Sequence, residues 1–360
     1  MDKKWSVLSR YVDLDVVKVP VYRACSSGGE VPIIKTLFSS FCKLDCLYCP
    51  IRYGCNIERA TWRKDRLVNV TLKLYNEGRV KGLFLSSSIF SDPDFVVEKE
   101  LEVVEKLREK GFRGYIHLKL MPGVSKDLVK RAVEVADRVG LNLEAPSEDV
   151  FSEIAPSKGS QRVDILRRLE WASWFVKRYK SKVSIVTQFI YGSQFGADLD
   201  YIKFTYHLYK LGLRRVYYSS FRPYKGTPLE NEKPAPLKSV YRLYQVSFLL
   251  RDYGIPLRFV EDILDEHGNL PDVDPKLAIA ENLDIFPIDI ENASYWELLL
   301  VPGIGKRTAS KILELRERGA LNSSVLRRLL GQRFKLVSKF IDIGDRKHEV
   351  LERFLVNRVG

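Results

Sequence analysis

The stretch that decides the fold is Phe41-Cys42-Lys43-Leu44-Asp45-Cys46-Leu47-Tyr48-Cys49-Pro50. Its cysteines have the spacing Cys-x3-Cys-x2-Cys, which places three thiolates in one short segment. Three thiolates so close together can hold one compact metal centre. A [4Fe–4S] cluster normally takes four cysteines, so three of them leave one iron with an open position. The spacing therefore favours an iron–sulfur cluster at which chemistry can take place.

A zinc site is the alternative for the same cysteines. Zinc would need a fourth ligand, either Cys25 or Cys55. Zinc ribbons usually pair two Cys-x2-Cys knuckles, and the sequence has no second pair. All five cysteines lie in the first 55 residues, whereas a disulfide scaffold would scatter them. Of the two remaining cysteines, Cys25 is a candidate catalytic residue, as a hydrogen-atom donor, or an auxiliary ligand. Otherwise both are small buried side chains.

Outward from the cysteines, apolar runs of strand length alternate with amphipathic helical patterns. The runs predict strands over residues 33–38, 82–86, 115–120, 141–145, 184–190 and 216–221, and helices over 65–76, 96–110, 126–137, 162–180, 199–211 and 237–253. Six strands, each followed by a helix, predict an α/β fold with a parallel sheet. The Rossmann glycine signature is absent, which favours a partial barrel over an open doubly wound sheet. The cysteines follow the first strand and fall on the catalytic rim of such a barrel.

Polar residues interrupt two of the predicted strands. His117 and Lys119 share one face of the third strand, and Asn142 and Glu144 share one face of the fourth. Buried parallel strands normally consist of continuous Val, Ile and Leu. The pattern indicates a lumen that binds something polar, or else rim positions open to water.

The C-terminal region has a different character. Residues 272–290 contain Pro275 and Pro287, directly after Pro271, and predict a connector between a barrel domain over 1–271 and a small all-α domain over 291–360. In that last segment, 14 Lys and Arg stand against 8 Asp and Glu. Two helical patterns flank Val301-Pro302-Gly303-Ile304-Gly305-Lys306, where Gly303 and Gly305 permit a tight turn. The helix N-terminus at Lys306 and Arg307, with Lys311 beside it, is suited to bind phosphate.

Composition agrees with a nucleic-acid partner. The chain has 360 residues and a net charge of +13, which favours an acidic partner. No apolar run reaches the length of a membrane span, and no secretory signal is visible. The expected location is therefore the cytoplasm, without a membrane partner.

The cysteine spacing, Tyr48 before the last cysteine and the position after the first strand resemble radical S-adenosylmethionine (SAM) enzymes. The resemblance implies a partial (β/α)6 TIM-like barrel in which SAM binds the open iron of a [4Fe–4S] cluster held by Cys42, Cys46 and Cys49. Reductive cleavage of SAM by an external electron donor then gives a 5′-deoxyadenosyl radical that abstracts a hydrogen atom from the substrate. The SAM contacts implied by the resemblance are Tyr48, Ser86, Ser87, Ser88, Glu144, Thr187 and Gln188. The glycines and glutamate that the superfamily often has after its second strand are missing here.

Several further segments resemble the putative DNA modification and repair radical SAM proteins that are often linked with uracil-DNA glycosylase. These are Cys25-Ser26-Ser27-Gly28, Gly82 to Ser87, Leu141 to Pro146, Ala155-Pro156-Ser157-Lys158 and the final helical unit. The Pro-Gly-Ile-Gly turn likewise resembles a helix-hairpin-helix motif, which grips the sugar-phosphate backbone. The resemblance implies an enzyme that acts on nucleic acid, with DNA favoured over RNA. The alternatives are an RNA-modifying enzyme, a small-molecule enzyme and a non-catalytic iron–sulfur or zinc protein that binds nucleic acid.

Overall fold

A computed structural model describes residues 21–26 and 29–344, without the side chains of Cys25, Ser26 and Ser193. The described residues form two compact units, one within Met1–Gly196 and His207–Val240 and the other within Ala197–Tyr206 and Tyr241–Gly360. The predicted division at residues 271 and 291 stays a prediction. No helix among the described residues is both long and apolar enough to cross a bilayer.

The first unit is built on a seven-stranded sheet whose spatial order follows the sequence. Its strands are β1 (Val21–Ser26), β2 (Gly29–Leu37), β3 (Gly82–Ser86), β4 (Tyr115–Lys119), β5 (Arg138–Gly140), β6 (Ser184–Tyr191) and β7 (Arg215–Ser220). β1 pairs antiparallel with β2, and every later neighbour is parallel. The sheet curls into a half-barrel, which confirms the predicted α/β class.

Helices connect the parallel strands. They are α1 (Lys64–Asn76), α2 (Pro93–Glu109), α3 (Lys126–Val135), α4 (Glu148–Ile154), α5 (Arg167–Arg178), α6 (Asp198–Leu211) and α7 (Leu237–Phe248). Short irregular helices cover Pro156–Lys158, Gln161–Leu166, Ser193–Phe195 and Leu249–Tyr253. Right-handed crossovers between sequentially ordered parallel strands place all connecting helices on one face of the sheet.

The two faces of the sheet differ in chemistry. Residues such as Leu83, Ile116 and Val139 are fully buried and apolar, as expected of the face that the helices cover. The alternate residues point to the opposite face, here called the concave face, and include His117 and Lys119. Several of the concave-face residues are polar and half-buried, so apolar side chains do not fill the lumen.

Two strand predictions need correction. The fourth predicted strand, 141–145, is wrong, because the strand at this place is the shorter β5 at Arg138–Gly140. The residues after Gly140 run on beside β6 as irregular backbone, with one isolated bridge from Glu144 to Phe189. The antiparallel strand β1 was not predicted, because its alternation is short and its partner strand was placed too late, at residue 33 rather than Gly29.

The second unit contains α8 (Leu257–Glu261), α9 (Pro275–Asn282), β8 (Ile288–Asp289), α10 (Tyr295–Leu300), α11 (Lys306–Glu317), α12 (Ser323–Leu330), α13 (Phe334–Val337) and β9 (Ile341–Asp342). Its core includes Ile290, Leu298, Ile312 and Leu326. α9 and β8 lie within the predicted connector, residues 272–290. The predicted all-α character is wrong in one respect, because β8 and β9 pair in parallel.

Candidate functional site

The cysteine loop, residues 41–59, leaves the end of β2 and is closed at its base. The amide of Ser40 donates to the carbonyl of Ala60 at 2.9 Å, and the amide of Trp62 donates to the carbonyl of Phe38 at 2.8 Å. The Ser39 and Thr61 hydroxyls are 2.7 Å apart. These pairs hold the two ends of the loop side by side, so the loop departs from the C-terminal edge of the sheet in a fixed direction.

Arginines hold the interior of the cysteine loop. Arg59 donates to the carbonyls of Ser40 (2.5 Å), Ile51 (2.9 Å), Arg52 (2.8 Å) and Cys55 (3.4 Å). Arg52 in turn donates two hydrogen bonds, at 3.0 and 2.9 Å, to the carbonyl of Asp45. A guanidinium has five N–H donors in a rigid plane, so it can gather several carbonyls at once. Sequence reasoning missed both arginines, because carbonyl acceptors leave no residue pattern.

A distant segment fastens the middle of the loop. The Ser157 hydroxyl donates to the Asp45 carboxylate at 2.5 Å and accepts from the Asp45 amide at 3.1 Å. This hydroxyl is the main reason why the pKa of Asp45 is lowered. The amide of Leu47 also donates to the carbonyl of Ile154 at 2.8 Å. The segment after α4 is therefore part of the support for the cysteines.

The three cysteines of the motif are free thiols that lie within electrostatic reach of one another. Cys46 is buried, while Cys42 and Cys49 are half-buried. Burial raises the pKa of Cys49 to about 12, and the neighbouring Cys46 adds to this rise. Burial also raises the pKa of Cys46, against the lowering effect of Lys158. Such thiols become thiolates only when a cation such as iron compensates their charge.

The donor set fits an iron–sulfur cluster. It consists of three soft thiols on one loop, and none of them is oxidised to a disulfide. Among the described side chains, no three His, Cys, Asp or Glu residues are arranged to hold a single metal ion. Cys thiolates are the usual ligands of [4Fe–4S] clusters.

A buried acid–base cluster adjoins the thiols. Glu144 is 3% exposed, and its carboxylate lies 2.5 Å from the Lys158 ammonium. Burial raises the pKa of Tyr48 well above its usual range, and the charge of Glu144 and a hydrogen bond to it contribute. Burial lowers the pKa of Lys158, but Glu144 and the thiols of Cys46 and Cys49 raise it by more. The pKa of Lys158 is therefore raised overall. The structure thus brings Tyr48 and Glu144 together and adds Lys158. Their predicted contact with SAM stays a prediction.

Glu144 has an unusual backbone. Its φ is 63°, a left-handed conformation that side chains other than those of Gly, Asn and Asp rarely adopt. Neighbouring strand residues hold it there, because its amide donates to the Gln188 carbonyl at 3.0 Å and its carbonyl accepts from the Ile190 amide at 2.7 Å. Strained conformations of this kind persist where surrounding structure enforces them and cluster at functional sites.

Lys119 lies beside this cluster on the concave face. It is 8% exposed, and its ammonium donates to the side-chain carbonyl of Asn142. Burial lowers the pKa of Lys119 to about 8, although the charge of Glu144 acts in the opposite direction. His117, Lys119 and Glu144 are all buried, so they are not rim positions open to water.

The other predicted SAM contacts differ in their placement. Ser86 ends β3, and Ser87 follows with its hydroxyl donating to the Ser88 carbonyl at 2.9 Å. The Ser88 hydroxyl donates to the carbonyl of Ser39 at 2.9 Å. Thr187 is fully buried, and its hydroxyl donates to Leu141 at 2.6 Å and accepts from the Leu143 amide at 3.2 Å. The hydroxyls of Ser88 and Thr187 are thus engaged with backbone, while Gln188 points to the concave face with Ser184.

The two cysteines outside the motif, Cys25 and Cys55, lie in different places. The Cys55 thiol donates to the carbonyl of Gly226 at 3.2 Å, which suits a structural role. The backbone of Cys25 lies in β1, opposite Glu30. The side chain of this predicted catalytic residue lies outside the described residues.

In the second unit, the Pro-Gly-Ile-Gly segment forms a tight turn between two helices. α10 begins at a capping box in which Ser294 and Glu297 bond each other's backbone amides. Gly303 has a φ of 87°, and a Cβ there would lie 3.0 Å from a methyl carbon of Val337. Gly305 is the N-cap of α11, and no side chain caps the helix there. The side chains of Lys306, Arg307 and Lys311 are exposed, and Lys311 pairs with Glu314 at 2.8 Å.

Two cationic side chains, Lys276 and Arg333, donate hydrogen bonds to backbone carbonyls of this turn. The Lys276 ammonium donates to the carbonyl of Ile304 at 2.5 Å and lies 4.9 Å from the ring centre of Tyr253. Arg333 donates to the carbonyl of Gly303 at 2.9 Å. Burial lowers the pKa of Lys276 to about 7. With its carbonyls occupied, the turn leaves the N-terminal amides of α11 as its outward hydrogen-bonding groups.

Residues 36–190 match the sequence model of the radical SAM superfamily. The chain therefore carries a radical SAM domain, the domain of enzymes that perform radical chemistry with a [4Fe–4S] cluster and SAM. Such enzymes need an electron donor. No curated protein matches the chain in a sequence comparison.

Among solved structures, the chain is similar to the FeFe-hydrogenase maturase HydG from Carboxydothermus hydrogenoformans, with 14% identity, coverage of 61% of this chain and 51% of that chain, and a TM-score of 0.49. Methylornithine synthase shows 18% identity, coverage of 61% and 62%, and a TM-score of 0.49. A radical SAM methyltransferase from Sphaerobacter thermophilus shows 15% identity, coverage of 66% and 70%, and a TM-score of 0.47. The chain thus spans about half to two-thirds of the length of the first two of these proteins.

Proposed function

We propose that this radical SAM domain acts on nucleic acid, with DNA favoured over RNA, and modifies or repairs it by hydrogen-atom abstraction. The single observation that carries the nucleic-acid part is the turn at Gly303–Gly305, whose carbonyls are bonded to Lys276 and Arg333. The remaining amides at the start of α11 and the exposed Lys306 and Arg307 are suited to bind phosphate. The preference for DNA rests on the resemblance to the DNA modification and repair proteins.

In this proposal, Cys42, Cys46 and Cys49 would hold the [4Fe–4S] cluster, and three ligands would leave SAM a place to bind at it. When bound and reduced, these cofactors would supply the radical chemistry that removes a hydrogen atom from the substrate. Arg59 and Arg52 fix the path of the cysteine loop. The Glu144–Lys158 pair next to the thiols orients polar groups of SAM, together with Tyr48.

The nucleic-acid part of the proposal assigns the hairpin to the sugar-phosphate backbone. Contacts to phosphate position a protein without reading sequence. A base within a duplex is inaccessible to chemistry, so the target nucleotide would have to be flipped out of the stack. In single-stranded nucleic acid the enzyme would not have to spend free energy on unpairing the target nucleotide.

The experiment is an anaerobic assay of 5′-deoxyadenosine formation with reconstituted, reduced protein, SAM, and DNA or RNA. We expect formation by the parent protein and stimulation by DNA, and loss in Cys42→Ala, Cys46→Ala and Cys49→Ala. Cys55→Ala is the matched control, because Cys55 bonds to Gly226 and should keep activity. Turnover in all three motif variants would overturn the cluster assignment. Stimulation by RNA alone would replace DNA as the substrate class, and a small-molecule or purely binding role would show no stimulation by either polymer.

A further inference from the structure

Glu144 lies at the centre of a tight three-residue turn beside the thiols. The amide of Ala145 donates to the carbonyl of Leu143 at 2.8 Å, which closes a γ-turn around Glu144, whose φ is 63°. A γ-turn with a positive φ at its central residue is rare and strained. Such a turn persists only where contacts from the surrounding structure hold it.

The side-chain amide of Gln161 supplies contacts of this kind. Its Nε2 atom donates to the carbonyl of Leu143 at 2.9 Å and to the carbonyl of Ala145 at 2.7 Å. Gln161 is 4% exposed, so these bonds are shielded from water. A side-chain amide has two N–H donors, and both are used on the residues before and after Glu144. Gln161 therefore fixes the backbone from which the Glu144 carboxylate projects.

The backbone of Gln161 is itself held in place. The carboxylate of Glu148, the first residue of α4, accepts from the amides of Gln161 and Arg162, each at 2.9 Å. These two amides begin the short π-helix Gln161–Leu166. Helices of this type are rare and are found frequently at functional sites. The side chain of Gln161 thus starts from a fixed point when it reaches the turn.

The segment before Gln161 holds the carboxylate of Glu144 and the cysteine loop directly. Lys158 lies 2.5 Å from that carboxylate, and Ser157 bonds to Asp45 of the loop. Among the described residues, Gln161 bonds to neither the carboxylate nor the loop. Any effect of Gln161 on a molecule bound at this site therefore passes through the turn at Glu144.

We propose that Gln161 is a positioning residue for SAM binding, because it holds the turn at Glu144 in the conformation in which the carboxylate contacts SAM. The inference deepens the proposed function and rests on its assignment of the Glu144–Lys158 pair to polar groups of SAM. Without the two bonds, the turn would relax toward a negative φ, since a left-handed conformation is unfavourable for glutamate. The carboxylate would then leave its place beside Lys158.

The test measures equilibrium binding of SAM to the reconstituted full-length protein without nucleic acid. Gln161→Glu keeps the shape of the side chain but replaces its N–H donors by oxygens, so it separates hydrogen bonding from the filling of space. We expect SAM affinity to fall by about tenfold, the effect of losing one or two hydrogen bonds. Gln161→Met, which fills the space without donors, should show a loss of similar size. In 5′-deoxyadenosine formation, KM for SAM should rise by a larger factor than kcat falls.

Gln245→Met is the matched control. Gln245 lies in the second unit, and its side-chain amide donates to the Asp274 carboxylate at 2.6 Å. The variant removes a bonded glutamine away from the turn and should leave SAM affinity unchanged. Melting temperature and cluster absorbance identify variants that are folded and loaded. Normal SAM affinity in folded Gln161→Glu and Gln161→Met, or an equal loss in Gln245→Met, would refute the positioning role.

A double-variant comparison tests whether Gln161 acts through Glu144. Glu144→Gln should weaken SAM binding, and Gln161→Met/Glu144→Gln should bind no more weakly than Glu144→Gln alone. Residues that act through one another give losses that do not add. Additive losses would show that Gln161 acts by another route, and this would overturn the inference.

The outcomes separate the positioning role from the proposed function. If Glu144→Gln weakens SAM binding and the Gln161 variants do not, the SAM contact of Glu144 stands and the positioning role fails. If none of these variants weakens SAM binding, both fail. Stimulation by DNA is measured separately, so its absence would contradict the nucleic-acid proposal without affecting the role of Gln161.

Discussion

The cysteine loop and the turn at Gly303–Gly305, here called the hairpin turn, are both held by cationic side chains that bind backbone carbonyls. The cations differ in how firmly they keep their charge. Arg59 binds four carbonyls of the cysteine loop. The hairpin turn has one carbonyl bound by Lys276 and one by Arg333. A guanidinium keeps its charge at every pH at which proteins fold, whereas the pKa of Lys276 is about 7. The comparison indicates that the arginine contacts of the cysteine loop are indifferent to pH and that the Lys276 contact of the hairpin turn responds to it.

The largest expected effect concerns Arg59. Arg59→Ala removes four donor contacts from the cysteine loop, and a hydrogen bond that involves a charged group makes a net contribution of about 1.5–3 kcal/mol to stability. We expect the variant to lose most of its iron after reconstitution while the rest of the first unit stays folded. Iron and sulfide analysis, with circular dichroism as the folding check, measures this. Arg59→Lys should hold iron at an intermediate level. Full iron content in Arg59→Ala would show that the cysteine loop keeps its shape without the Arg59 contacts.

The second effect concerns the exposed cations of the hairpin. The double variant Lys306→Ala/Arg307→Ala should weaken DNA binding and lower the slope of log affinity against log salt by about 1–2, because each phosphate contact contributes about 0.9 to that slope. Fluorescence anisotropy at several salt concentrations measures both quantities. A double variant of Lys73 and Arg79, which are exposed cations of the first unit, is the control. An unaltered slope would remove the hairpin from the proposed interface.

The third effect is the pH response of Lys276. Its pKa is lowered from 10.5 to about 7 by burial, so the folded protein releases a proton near pH 7 that the unfolded chain keeps until about pH 10.5. The stability contribution of Lys276 should therefore rise with pH from about 7 upward. In Lys276→Met this rise should be absent. Melting temperatures of both proteins between pH 6 and pH 9 measure the difference, and parallel curves would contradict the assignment.

The smallest effect concerns Arg333, which makes one bond at the surface of the turn. Arg333→Ala should destabilise the second unit by about 0.5–1 kcal/mol at every pH tested, and so differ from Lys276→Met in shape as well as in size. Urea unfolding at two pH values measures it. A pH-dependent loss in Arg333→Ala would mean that the two cations of the turn act as one unit.

Local patterns in the sequence were sufficient for much of the fold. The bounds of β3 were predicted correctly, because its apolar run ends sharply on both sides. The fourth strand was misplaced, because Leu141 to Ala145 has strand-like alternation, although regular pairing already ends at Gly140 and Glu144 takes a left-handed conformation. The tertiary hydrogen bonds to Gln188 and Ile190 that enforce this conformation are invisible in a local window.

The candidate site shows the same limit. The cysteines and the hairpin glycines could be found because each motif lies within one short segment. Lys158 and Arg59 were missed, because Lys158 acts on a residue 14 positions away and Arg59 acts on carbonyls that any residue provides. Long-range partners of this kind follow from the folded backbone and not from residue type.

The bond between Asp45 and Ser157 joins residues 112 positions apart, and this has a consequence for biosynthesis. The cysteine loop cannot reach its final shape until α4 and the segment after it have left the ribosome and docked. Contacts between residues so far apart in the sequence form late, because the chain loses the entropy of a long loop before the new contact stabilises it. The loop therefore reaches its final shape only after synthesis has passed Ser157, and until then the three thiols stay open to oxidation.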